Sequence, residues 1–267
     1  MKYKLFSPVL IILCCLFLAV PLLAQNELAD YQFQYEQYRR LYPQFTTARD
    51  KYLQFETLVA QEEAIGFTQQ ILIQRAQAMR THFLLLRREL GQAPEIVTDV
   101  RTSMGSSLDA EVEWLDDHMI DLKALSTPTL GQLFEISDRF ERKEKDYRLS
   151  SYEVLARILL GKVKQLQAEA VAINFLLDDY LSRQEEDDQT VIMLKNWLRE
   201  SGNSIYQSQK RIENAETALE KMIKARGDSK RTVREFSNMQ SELEAGRQHL
   251  LKIAGYQKEI IEKAVSR

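Results

Sequence analysis

The chain has 267 residues, with 36 basic and 39 acidic side chains, and its only two cysteines, Cys14 and Cys15, lie within the first 24 positions. The following 243 residues therefore form no disulfide and no cysteine metal site. Once Lys2 and Lys4 are set aside, these residues carry 34 basic and 39 acidic groups, a net charge of −5 that argues against nucleic-acid binding.

The first 24 residues have the layout of a secretory signal. Lys2 and Lys4 come before an apolar stretch that runs from Val9 to Val20, and the small residue Ala24 stands before the polar Gln25. A charged start, an apolar core and a small residue at the cut are typical of an export signal. The sequence therefore predicts export of the protein and cleavage between Ala24 and Gln25.

Two other interpretations of this leader stay open. Residues 5–23 are close to the roughly 20 residues that span a bilayer, so the leader is alternatively an uncleaved membrane anchor. The positive start then stays inside and the rest of the chain is exported in either case. Lipid attachment at Cys14 or Cys15 is disfavoured, because such sites follow a small residue and lie at the end of the apolar core.

The first helical segment is predicted from about Glu27 to Leu90. Apolar residues recur there at steps of three and four, which is the spacing of one helix face. We expect a kink at Pro43, because proline breaks the helical hydrogen-bond ladder. The early positions of this face are aromatic, and we interpret their rings as bundle core rather than a ligand-stacking surface. These residues are Tyr31, Tyr35, Tyr38, Tyr42 and Phe45.

Turns near 91–94 and 126–128 separate the next two predicted helices. Gly91 is placed to end the first segment, and Pro94 to open a helix over about 95–125. Thr127 and Pro128 then have the pattern of a cap and a first helical position, which predicts a helix from 128 to 183. Ser150 and Glu153 have capping-box spacing, so this helix either continues past them or restarts there.

The region from 186 to 267 is predicted to be an antiparallel coiled-coil hairpin. Residues 185–188 are four consecutive acids, which we interpret as a solvated turn rather than a loose cation site. Apolar residues recur at sevens in both arms, and Gly227 with Asp228 marks the tip at 226–229. Arg226-Gly227-Asp228 is also the tripeptide that integrin-type receptors bind, but we interpret it as a turn.

These patterns predict an all-α fold. We expect an elongated antiparallel helical bundle or coiled coil of about five long helices, with a long-helix region over 25–185 and a final hairpin. Four segments of similar length are expected to form a four-helix bundle, and three shorter ones a three-helix bundle. The first set is 27–57, 152–183, 189–226 and 230–266, and the second is 58–90, 95–125 and 128–150.

No residue pattern in the chain predicts catalysis, a cofactor or a metal. His82, His118 and His249 form no His-x-x-x-His pair, and none has a glutamate three positions earlier. Asp116, Asp117 and His118 are consecutive, so on a helix they point in different directions. Nucleophile-elbow, P-loop and dinucleotide-binding motifs are absent from the sequence.

The sequence therefore favours an exported, non-enzymatic protein that acts through protein–protein contacts at the cell envelope or outside the cell. We expect a protein partner or self-association, no nucleic acid, and membrane contact only through the N-terminal segment if it stays uncleaved. One alternative is a periplasmic-type holdase that grips unfolded clients between helical arms. A second alternative is a metal- or cofactor-dependent bundle enzyme.

Overall fold

The computed structural model describes residues 22–184, 188–225 and 228–266. Of these residues, 92% are helical and none lies in a strand, which confirms the predicted all-α helical bundle. Six helices are present in the described ranges. They are α1 (Leu22–Phe55), α2 (Leu58–Gln92), α3 (Thr98–Ala124), α4 (Leu130–Ser182), α5 (Gln189–Lys224) and α6 (Ser229–Val265).

The first predicted segment is two helices, which agrees with its expected division into 27–57 and 58–90. Helix α1 runs through Pro43 and ends at Phe55. The next residue, Glu56, has a left-handed backbone with a φ of 51°. Thr57 then caps α2, because its Oγ1 accepts a hydrogen bond from the Ala60 N–H at 3.3 Å. Gln74 of α2 donates to the Gln34 backbone oxygen at 2.9 Å, so α1 and α2 form an antiparallel hairpin.

The chain divides into two compact units. Unit 1 is the described part of Met1–Leu85 with Leu108–Arg139, and unit 2 is Leu86–Ser107 with the described part of Phe140–Arg267. Helix α1 thus belongs to unit 1, whereas α5 and α6 belong to unit 2. The predicted four-helix bundle combines 27–57 of unit 1 with helices of unit 2, and it stays a prediction. A periodic apolar face does not specify the partner against which it packs.

Unit 1 has an aliphatic core, and the aromatic face of α1 lies at its edge. Leu72, Leu122 and Leu133 are buried together at the centre of the unit. Tyr31, Tyr38 and Phe45 are partly buried, whereas Tyr35 and Tyr42 are 47% and 49% exposed, so the expectation that the α1 aromatics fill a core fails at these two residues. They pair with neighbours along α1 instead, because a two-helix hairpin can cover only part of a wide aromatic face.

The loop between α2 and α3 packs against α4 within unit 2. Gly91 lies inside α2 and Pro94 lies in the loop, so the predicted roles of both residues at helix ends are wrong. The Arg101 guanidinium holds the loop, since it donates to the backbone oxygens of Gly91, Ala93 and Ile96 at 3.4, 2.8 and 3.2 Å. The backbone oxygen of Pro94 approaches α4 where Gly161 leaves room for it.

Helix α4 is continuous over 53 residues. Its cap is Thr129 rather than Thr127: the Thr129 Oγ1 accepts from the Gln132 N–H at 3.2 Å, and Gln132 Oε1 accepts from the Thr129 N–H at 2.9 Å. This reciprocal pair is a capping box. The helix passes Ser150 without a restart, because its apolar face stays buried on both sides of that residue. The buried heptad residues are Leu133, Phe140, Tyr147 and Val154.

Helices α5 and α6 are the two arms of the predicted hairpin. Asp188 and Asp228 cap them by accepting from the N–H groups of Thr190 and Arg231 at 2.7 and 3.1 Å. Ser208 is fully buried on α5, and Gly246 lies opposite it on α6. The predicted heptad faces pack against each other and against α4. Residues 185–187, Arg226 and Gly227 lie outside the described residues.

Candidate functional site

An open groove of about 670 Å³ lies between α4 and α5 in unit 2, and we call it the α4/α5 groove. Each helix contributes one face, with residues spaced by three or four positions. Helix α4 provides Val171, Asn174, Phe175, Asp178 and Ser182, and helix α5 provides Lys195, Leu198, Arg199, Gly202 and Ile205. This spacing places the listed side chains along the same side of each helix.

Apolar packing beneath the α4/α5 groove holds the two helices together. Leu177 and Leu181 of α4 are buried against Leu194 and Leu198 of α5, with Ile260 of α6 completing the cluster. Packed side chains of this kind hold their positions because protein interiors are close to crystal density. Packing among α4, α5 and α6 therefore holds the two sides of the groove in place.

Two hydrogen bonds between α4 and α5 set their relative register. The Ser201 Oγ, which is fully buried, donates to the Asn174 Oδ1 at 2.6 Å. The Gln167 Nε2 donates to the Ile205 backbone oxygen at 3.1 Å. Leaving a buried polar group without its partner costs about 1–3 kcal/mol, so a slip of one helix along the other is disfavoured.

Large apolar side chains on the α4/α5 groove face solvent. Phe175 is 72% exposed and Val171 is 45% exposed. Gly202 leaves the centre of the α5 side open, since no atom lies within 4 Å of where its Cβ would stand. An exposed aromatic ring beside an open position is typical of a surface that receives another molecule.

The charges on the two sides of the α4/α5 groove have opposite signs. Asp178 stands on the α4 side, and Lys195 and Arg199 stand on the α5 side. None of the three forms an ion pair with another described residue, whereas Asp179, which follows Asp178 in the sequence, pairs with Arg183. The groove thus presents an acidic side and a basic side without internal neutralisation.

A second apolar surface lies at the turn between α1 and α2 in unit 1. Four large side chains within seven residues are more than half exposed there: Leu53, Phe55, Leu58 and Val59. The left-handed backbone at Glu56 holds the turn between them. We call these four residues the α1–α2 tip, and their exposure makes them a second candidate contact surface.

The histidines do not form a site together. His118 is buried in unit 1 and stacks on Trp114, with ring centroids 4.8 Å apart. Burial lowers the pKa of His118 to about 4, and the positive charges of Arg139 and Arg75 add to this effect, while Asp121 opposes it. Burial also lowers the pKa of His82 and, with neighbouring cations, that of His249. All three are therefore biased toward the neutral form.

The other residues singled out from the sequence lie apart from the α4/α5 groove. Ala24 and Gln25 belong to the first turn of α1, and residues 1–21 lie outside the described ranges. Asp116 is held by the Arg80 Nε at 2.7 Å rather than directed at His118. The sequence did not single out the groove residues, because the spacing of Phe175, Lys195 and Arg199 matches an ordinary solvated helix face.

Within the described ranges, no helix is both long enough and apolar enough to cross a membrane. The same ranges contain no group of three or more His, Cys, Asp or Glu side chains placed to hold one metal ion. No protein-family model, curated protein or solved structure matches the chain.

Proposed function

We propose that this is an exported, non-enzymatic helical protein that acts through protein–protein contacts at the cell envelope or outside the cell, as a scaffold, spacer or assembly subunit. The observation that carries the proposal is the α4/α5 groove, where the exposed side chain of Phe175 shares one surface with charges of opposite sign. Aromatic residues with a charged surround are enriched where proteins bind proteins.

The form of the α4/α5 groove suits a helical partner. Two adjacent helices with apolar residues three and four positions apart leave a channel between them that accepts the apolar face of a further helix. Gly202 widens this channel at its centre, because no side chain fills the space above its Cα. A helical partner on this surface would bury Phe175 and Val171 together.

The leader supports the exported location. Lys2 and Lys4, the apolar stretch from Val9 to Val20 and the small residue Ala24 stand in the order of an export signal. N-terminal sequencing of the native protein tests this part. Gln25 at the N-terminus indicates a released protein and Met1 a tethered one, whereas recovery only from the cytoplasm contradicts export.

In-cell crosslinking tests the contact role. A photo-crosslinking amino acid replaces Phe175, and the control replaces Phe134 of unit 1, which is 74% exposed and lies outside the groove. We expect protein adducts from position 175 in clear excess over position 134, because only the groove is a contact surface in this proposal. Equal labelling at the two positions contradicts the contact role of the groove.

A holdase is the second candidate, and the α1–α2 tip is the observation in its favour. Exposed Leu53, Phe55, Leu58 and Val59 resemble the apolar surface that a chaperone offers to an unfolded client. An aggregation-suppression assay compares the native chain with a variant in which all four residues are serine. Protection that disappears in the variant favours this function, and no protection by the native chain at equimolar amounts removes it.

A further inference from the structure

We propose that the α4/α5 groove binds the same groove of a second copy of this chain, about a two-fold axis parallel to α4 and α5. The inference rests on the proposed contact function and names its partner. It follows from three features of the groove, namely the placement of its charges, the placement of its exposed ring, and its size.

The first feature is charge self-complementarity. Helices α4 and α5 are antiparallel, and the hydrogen bond between Ser201 and Asn174 shows which positions stand side by side. Asp178 lies one turn further along α4, so it stands level with the midpoint between Lys195 and Arg199 of α5. A two-fold axis parallel to the helices lays α4 of each copy over α5 of the other at the same level. Each Asp178 then faces Lys195 and Arg199 of the second copy.

The same charges disfavour a two-fold axis perpendicular to α4 and α5. A two-fold axis perpendicular to the helices in the plane of the interface lays α4 over α4 and α5 over α5. Asp178 would then face the acidic side of the second copy, and Lys195 and Arg199 would face its basic side. Like charges across an interface suppress binding, so only the parallel axis is compatible with this groove.

The second feature is the match between Phe175 and Gly202. In the parallel-axis arrangement, Phe175 of one copy lies over α5 of the other, close to the level of Gly202. Phe175 is 72% exposed and Gly202 has no atom within 4 Å of its missing Cβ, so the ring of one copy has space to enter the opening of the other. The two-fold axis repeats this contact, so the pairing buries both exposed rings.

The third feature is size, which sets the expected affinity. From Val171 to Ser182 the α4 side is about 17 Å long at 1.5 Å per residue, and two adjacent helices are about 20 Å wide. Two such footprints bury on the order of 700 Å² in total, which is below the usual range of specific interfaces and in the range of weak, transient ones. We therefore expect a weak, reversible dimer with a micromolar dissociation constant.

Charge reversal with complementation tests the inference. Sedimentation velocity of the native exported chain over a concentration series is compared with D178K and with the double variant K195E/R199E. We expect each variant to weaken the dimer by about tenfold or more, because each places like charges opposite one another at both symmetry-related contacts. An equimolar mixture of the two variants restores both contacts, so it is expected to dimerise like the native chain. K230E, a charge reversal at an exposed position of α6 outside the groove, is the control.

F175E is a second, independent variant. Because Phe175 is mostly exposed in the single chain, this substitution is expected to leave the thermal midpoint unchanged while it abolishes dimerisation. An unchanged midpoint shows that loss of the dimer is not loss of the fold.

Four outcomes overturn the inference. If the native chain dimerises and every variant dimerises equally well, the dimer uses another face. If D178K and K195E/R199E are each monomeric and their equimolar mixture is also monomeric, the proposed axis is excluded. If the native chain is monomeric at every concentration but crosslinks to a different protein from position 175, the self-association is contradicted and the proposed contact function is supported. A native chain that is monomeric, and that crosslinks no more from position 175 than from position 134, contradicts both the self-association and the proposed contact function.

Discussion

Replacing Gly161 by alanine probes the contact between α4 and the loop that joins α2 to α3. An alanine Cβ at this position would overlap the backbone oxygen of Pro94 and would stand 3.7 Å from the Ile96 Cγ1. Ordinary contact for a Cβ begins near 3.4 Å. The loop would therefore have to move by about 1 Å, since the opposing atom belongs to backbone and not to a flexible side chain.

The net effect is a balance of two terms. In an exposed helix interior, glycine to alanine stabilises by about 1 kcal/mol, because alanine has the higher helix propensity. At Gly161 the overpacking costs about 3 kcal/mol, the upper part of the usual range, because Arg101 holds the loop and the last turn of α2 through three backbone oxygens. We therefore expect Gly161→Ala to lower the free energy of unfolding by about 2 kcal/mol.

Gly255→Ala is the matched control. Gly255 lies in α6 of the same unit, is exposed, and has no atom within 4 Å of the Cβ position. This variant is expected to gain about 1 kcal/mol, so the two variants should differ by about 3 kcal/mol in urea unfolding at equal slope. A Gly161→Ala protein as stable as Gly255→Ala would refute the close approach of the loop to α4.

The remaining predictions concern two buried serines and one histidine. Ser201→Ala removes the hydroxyl that donates to Asn174, so we expect a loss of about 1 kcal/mol in urea unfolding. Ser208→Ala is expected to gain about 0.5–1 kcal/mol in the same assay, because the buried Ser208 Oγ has no hydrogen-bond partner in the described structure. His118 has a folded pKa of about 4 against 6.5 in the unfolded chain, so its contribution to stability is fully present above pH 6.5 and is lost as the pH falls to about 4. The stability difference between the native chain and His118→Gln should change across that window in chemical unfolding at several pH values.

Each of these predictions has a result that contradicts it. Equal effects of the two serine substitutions would show that the hydrogen bond to Asn174 does not distinguish the two positions. A stability difference between the native chain and His118→Gln that stays constant from pH 7.5 to pH 4 would show that His118 is not held neutral by burial.

The helical elements were predictable from the sequence because their determinants are local or periodic. The heptad faces of α5 and α6 are buried as predicted, since apolar residues at every third or fourth position define one face whatever covers it. Local hydrogen bonding also made Asp228 a predictable cap, because an aspartate needs only the N–H groups of the next turn.

The cap of α4 and the proline inside α1 show what local reasoning leaves undecided. Thr127 and Thr129 are both residues of the type that caps a helix. Thr129 is the cap of α4, because it forms reciprocal hydrogen bonds with Gln132. Helix α1 passes through Pro43 and ends at Phe55, although proline costs a helix about 3 kcal/mol. Other interactions along a 34-residue helix can offset a cost of that size, and the sequence pattern does not report them.

By itself, the sequence determined that this protein is helical and which face of each helix is apolar, because propensity and periodicity are properties of neighbouring residues. Only the tertiary structure decided that α1 pairs with α2 and that Asp178 stands between the levels of Lys195 and Arg199. The reason is that apolar attraction is non-directional: an apolar face is satisfied by any matching surface, and the choice among surfaces depends on the packing of whole helices.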